Sequence, residues 1–179
     1  AAAHDRVGGR LTIGLADLRF QPAILGAGGA PDTALAVQAG RALTGVAARG
    51  DARVPAARGA LELAAGRHAA AERSYREAIG ISPSYGEARM GLGVTFALRA
   101  AAERDPDRAR GLRMRAIAQF AAVPERDPAY AWALYDRALL LARVGRKDEA
   151  RRWADRYAAL DPGSAWTTAL EHELNAPPR

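Results

Sequence analysis

The chain has 179 residues, enough for one domain or for one repeat array with an appendage. Apolar residues make up 49% and aromatics 6%, with alanine dominant, so the core is built from small side chains, and the scarcity of Val, Ile and Thr argues against a sheet protein. The formal charge is +6 and there is no cysteine, which excludes a disulfide framework, thiol catalysis and thiolate metal sites.

Nearly all the positive charge is arginine, Lys147 being the one lysine. The arginines are interleaved with acids, as in Glu72-Arg73 and Lys147-Asp148-Glu149, the pattern of solvated helical faces. No apolar run approaches the ~18 residues of a membrane-spanning helix. The chain begins Ala1-Ala2-Ala3, small residues of the kind that flank a signal-peptidase cut. Export to the periplasm or the exterior is therefore expected, with the cytoplasm as the alternative.

In residues 1–31, Leu11, Ile13 and Leu15 alternate with Thr12, Gly14 and Ala16, a weak period of two. Gly8-Gly9, Pro22 and the glycines at 26, 28 and 29 leave no room for a long helix. The expectation is an extended arm, tied to its own body or to a neighbouring molecule through Leu11, Ile13, Leu15, Leu18 and Phe20. Pro31-Asp32-Thr33 then opens a helix, with Pro supplying a fixed φ and Asp32 or Thr33 a cap. Leu35, Ala39, Leu43 and Val46 form its apolar stripe, and residues 32–50 are read as an N-terminal capping helix.

A repeat follows. Ala71, Tyr75 and Ala78 share one helical face and lead to Pro83. The spacing returns as Ala116, Phe120, Val123, Pro128 and again as Ala150, Ala154, Tyr157, Pro162, with 34 residues between the last two prolines. The units are 51–83, 84–128 and 129–162, and residues 163–179 hold a C-terminal capping helix started by Ser164, and a tail. The first unit predicts helices near 55–65 and 68–79 about Gly66. The third predicts helices near 129–144 and 147–159 about Gly145. The second unit is 11 residues longer than the 34-residue step. The excess sits near 99–113, where Asp105-Pro106 signals a capped helix start and both helices are expected to extend into a projecting hairpin tip.

These residues resemble the tetratricopeptide repeat family. Gly59, Gly66, Ala71, Tyr75, Ala78 and Pro83 match its pattern, as do Leu92, Gly93, Phe96, Ala116, Phe120 and Pro128 around the insertion. Ala138, Leu141, Gly145, Ala150, Tyr157 and Pro162 match with two departures: alanine stands for the first glycine, and Ala154 for the usual aromatic. The match covers about residues 52–162. It implies an all-α, right-handed solenoid of helical hairpins, about three repeats plus capping helices. The small residues lie where helices cross, the aromatic fills the hole between them, and each pair must stack on the next to bury its bare face. The first helix of each pair would line a concave groove, where Met90, Val94, Leu98, Trp132, Tyr135 and Leu139 would form an apolar patch. A patch of that kind meets a partner, unless the arm or the lengthened hairpin covers it. Some family members clamp a chaperone's carboxylate with lysines and asparagines; the matching positions here are Ala56, Ala60, Gly91, Trp132 and Asp136, so that clamp is missing.

No enzyme constellation emerges. His4, His68 and His172 are scattered, and Glu171-His172-Glu173-Leu174 lacks the second histidine of a zinc-protease helix. The glycine pairs lack the strand–loop–helix context and the Lys-Ser/Thr of a phosphate loop. Glu103, Asp105 and Asp107 read as caps and surface pairs. Arg104, Arg108, Arg110 and Arg113 on the inserted tip suggest a patch for an anionic partner, such as an acidic protein surface or a glycan. Without interleaved aromatics, nucleic acid is not expected. No cofactor or metal is implied. The leading expectation is an exported, non-enzymatic interaction scaffold, a homo-oligomer that self-associates through its arm and groove, with a filament as the open-ended form. The alternative is a monomeric adaptor that binds a peptide segment of another protein in the groove.

Overall fold

The computed structural model of the chain describes residues 50–176. The expected arm, with Leu11, Ile13, Leu15, Leu18 and Phe20, and nearly all of the expected N-terminal capping helix lie outside the described residues. Within them the chain is all-helical, with seven helices and no strand. The helices are α1 (Arg53–Ala64), α2 (His68–Ile81), α3 (Gly86–Ala102), α4 (Pro106–Ala121), α5 (Tyr130–Arg143), α6 (Lys147–Leu160) and α7 (Ala165–Asn175).

The turns are made as the residue types dictate. Gly66 and Gly145 take φ of 71° and 83°, the left-handed region in which a Cβ is costly. Each follows a helix end closed by two reverse bonds: Arg67 N donates to Glu62 O and Gly66 N to Leu63 O, and Arg146 N to Leu141 O and Gly145 N to Ala142 O. Asp105 caps α4, accepting from the N–H groups of Asp107 and Arg108 at 2.9 and 3.0 Å, with Pro106 at the first helical position. Ser164 Oγ accepts from Thr167 N at 3.1 Å and starts α7. The two longest helices, α3 with 17 residues and α4 with 16, meet at this capped turn in the inserted region.

The closest partners are α1 with α2, α3 with α4, and α5 with α6. Looser contacts join α2 to α3 and α4 to α5, and α7 packs on α5 and α6. The described chain is thus three helical hairpins in series, followed by one helix. The joints are set by small residues facing large rings. Tyr75 of α2 lies between Gly59 of α1 and Gly91 of α3. A methyl on Gly59 would stand 3.0 Å from the ring, and one on Gly91 would stand 2.5 Å from the hydroxyl oxygen and nearer still to Cζ and Cε1. Phe120 of α4 sits against Gly93 in the same way, 2.7 Å from such a methyl at Cδ1. At the last joint Tyr135 meets Tyr157 edge-on at 5.3 Å and Trp166 at 5.2 Å.

One continuous core runs through the series from Ala52 to Leu174. The first helices of the second and third hairpins supply most of it. In α3 a stretch from Met90 to Ala97 is buried on every side, and α5 buries Leu134 and Tyr135 together with Leu139, Leu140 and Leu141. The second helices contribute narrow stripes, such as Ala150, Ala154 and Tyr157 of α6. Asp127 adds a polar tie between hairpins: its carboxylate accepts from Gly86 N of α3 at 3.0 Å and from Ala129 N before α5 at 2.8 Å. An anion at two helix N-termini is favoured by both backbone dipoles.

Candidate functional site

The expected open groove is not open at the residues that were to form it. Met90 and Val94 are wholly buried, and Tyr135 and Leu139 are 2% exposed. They belong to the core: Tyr135 spends its ring on Tyr157 and Trp166, and Leu98 packs against the same cluster half-buried. The apolar patch is therefore corrected to core packing, with Trp132, 37% exposed, as the one residue of the six that presents a substantial surface. The other exposed large apolar residues, Ile81, Met114 and Leu160, lie singly on α2, α4 and α6. Scattered residues of this kind do not make a patch.

The arginine patch also divides. Arg104, Arg108 and Arg110 are exposed and Arg113 is half-buried. At ~100° per residue, Arg108 and Arg110 point about 200° apart around α4, while Arg110 and Arg113 share a side. Arg108 lies 3.9 Å from Asp105. Four arginines close in sequence therefore do not form one surface.

Elsewhere the charges serve the hairpins. Glu72, buried in α2, pairs with Arg76 at 2.7 Å and with Arg99 of α3. Arg58 of α1 pairs with Glu77 and donates to Ser74 Oγ of α2. Arg143 of α5 and Glu173 of α7, both side chains 8% exposed, pair at 3.2 Å. His68 is half-buried, and burial followed by the nearby Arg99 charge holds its pKa below the ordinary value. Among the described residues no three His, Cys, Asp or Glu side chains group as metal ligands would, and no helix is long and apolar enough to cross a membrane.

One place gathers polar groups around a hollow. Residues Tyr130, Leu134 and Arg137 share a face of α5, and Trp153 and Arg156 share a face of α6. With Phe120 and Val123 from α4 and its end, and Glu125 from the following turn, they line a cavity of about 130 Å³. The Arg137 guanidinium carbon stands 3.7 Å from the Trp153 ring centroid and that of Arg156 stands 5.3 Å from it, so the indole is flanked by two cations. Arg156 pairs with Glu125 at 2.9 Å, and Tyr130 donates its hydroxyl to the same carboxylate at 3.2 Å. Burial raises the Tyr130 phenol, keeping it a donor. Arg137 has no carboxylate within ion-pair distance among the described residues, and its buried Nε has no acceptor. Its pKa is lowered, first by burial.

The cavity opens beside a wider depression of about 570 Å³, lined by Asp127, Pro128, Ala131, Ala159 and Leu160, with Glu125, Tyr130, Leu134 and Arg156 common to both. The sequence reading did not find this site. Its signal was the i, i+3 and i, i+4 spacing on two helices that only the fold brings together. No protein-family model, curated protein or solved structure matches the chain.

Proposed function

We propose that this chain is a non-enzymatic interaction scaffold of the tetratricopeptide type, an exported subunit that self-associates through the arm of residues 1–31. The observation that carries the scaffold reading is a ring of the second helix set against glycine of the first: Tyr75 lies on Gly59, and on Gly91 of the next hairpin as well, and Phe120 lies on Gly93 one hairpin later. This packing supports the resemblance, in which small residues lie where helices cross and an aromatic fills the hole between them. Hairpins of this kind leave a bare face at each end of a series, which a partner or a second copy covers.

Between the two modes of interaction, the buried groove weighs against the peptide adaptor. A peptide adaptor that used Met90, Val94, Tyr135 and Leu139 would need those side chains accessible, and they are core. The same burial removes the groove from the self-association expected of arm and groove together, which leaves the arm alone. Removing residues 1–30 and sizing the product by light scattering tests the reading. A soluble monomer from the shortened chain and an oligomer from the intact chain support it, and the same size for both refutes the arm's role.

A further inference from the structure

We propose that the cavity between α4, α5 and α6 receives an acidic side chain carried on an apolar peptide segment of a partner protein. Its carboxylate pairs with Arg137 and Arg156, and the neighbouring apolar side chain lies on the shelf formed by Leu134 and Leu160.

Charge comes first. Two guanidinium groups line a small hollow that holds one internal carboxylate, and that carboxylate, Glu125, reaches Arg156 and Tyr130 but not Arg137. Arg137 is half-buried on the Trp153 face with its Nε sealed from solvent and without an acceptor. A buried donor without an acceptor is costly, Glu149 attracts Arg137 only from beyond ion-pair distance, and the planar guanidinium fork is shaped for a carboxylate. Stacking on the indole fixes the plane of the fork before a ligand arrives, which reduces the ordering cost of binding. Burial also weakens the solvation of Arg137, so an incoming anion gains more there than at an exposed arginine.

Size comes second. The 130 Å³ hollow is well below the ~300–1,000 Å³ of small-molecule and cofactor sites, and it suits a single carboxymethyl or carboxyethyl group. The adjoining shelf is open, with an apolar stretch of Pro128, Ala131, Leu134, Ala159 and Leu160 beside Asp127, whose carboxylate is already held by Gly86 N and Ala129 N, and Leu160 is 57% exposed. An acid beside an apolar residue fills both parts at once; a free inorganic anion fills only the first. Glu125 is the built-in competitor. Its pair with Arg156 is solvent-exposed on both sides and therefore weak, so a ligand carboxylate can displace it.

The site is independent of self-association: a monomeric chain can bind the peptide, and an oligomeric chain can fail to. Calorimetric titration of the full chain tests it with three probes: a capped peptide holding one glutamate between two leucines, its glutamine twin, and sodium acetate. The glutamate peptide is expected to bind at least about tenfold more tightly than either of the others. Arg137→Gln is expected to weaken it by about the same factor with helix content unchanged. Should Arg137→Gln fail to fold, Glu125→Gln decides, because its side chain is 69% exposed and its removal frees Arg156; severalfold tighter binding is expected. Equal affinity for the glutamate and glutamine peptides, no heat at millimolar peptide, or unchanged affinity in Glu125→Gln overturns the proposal. Acetate binding as tightly as the peptide reduces the site to a small-anion hole and overturns the peptide partner.

Discussion

Gly91→Ala is the sharpest probe of the joint that carries the fold. A methyl there would stand 2.5 Å from the Tyr75 hydroxyl oxygen and closer to two ring carbons. The ring has little room to retreat, because Gly59 on its other side already approaches to where a methyl would meet it at 3.0 Å, and Tyr75 is 1% exposed. A clash this close takes the upper part of the overpacking range, about 2–3 kcal/mol. The gain in helix propensity from Gly to Ala offsets up to ~1 kcal/mol, leaving a net loss of about 1–2 kcal/mol. For a chain of this size that lowers Tm by about 2–8 °C. Gly111→Ala is the matched control. It lies exposed within α4 with nothing within 4 Å of the added methyl, so only the propensity gain remains and Tm should rise by a few degrees, about 2–4 °C. Thermal unfolding followed by far-ultraviolet circular dichroism reads both. Combining Gly91→Ala with Tyr75→Leu should recover part of the loss, because the two sites share one contact. Shifts of the same sign in the two single variants, or no shift in Gly91→Ala, would refute the joint as described.

Three further outcomes follow from the same contacts. Tyr75→Phe removes a buried hydroxyl that has no hydrogen-bond partner, so stability should stay level or rise by up to about 1 kcal/mol; a loss larger than that in denaturant titration contradicts the packing. Asp105→Ala deletes the cap of α4 and should cost about 1 kcal/mol by the same titration, with Asp105→Asn recovering most of it. His68 is held below its ordinary pKa, so as pH falls through about 6.5 the unfolded chain takes up the proton first and stability declines, until folded His68 is protonated as well. His68→Gln should flatten that decline between about pH 7 and 5; identical slopes in the two proteins count against it.

The helical punctuation was legible because single residues enforce it. Gly66 and Gly145 occupy the positive-φ turns, Asp105-Pro106 starts α4 and Ser164 starts α7. The pairing of Tyr75 with small residues was legible for the same reason: only glycine admits a ring at 3.0 Å or less. Accessibility was not legible. Periodicity says which residues share a face but not whether another element covers it, so Met90, Val94 and Leu139 read equally well as groove or as core, and they are core. Proximity in sequence misled at Arg108 and Arg110, which the helix turns to opposite sides. The Arg137–Trp153 stack was hidden because its members lie 16 positions apart on α5 and α6, and the Glu125 turn joins them only once the hairpins are docked.

The scaffold account rests most directly on the size of the intact chain in solution. Multi-angle light scattering over a range of concentrations measures it without a partner, a label or a substitution. The account predicts a mass that is a multiple of the 18.9 kDa chain and that grows with concentration if assembly is open-ended. A mass of one chain at every concentration would contradict it.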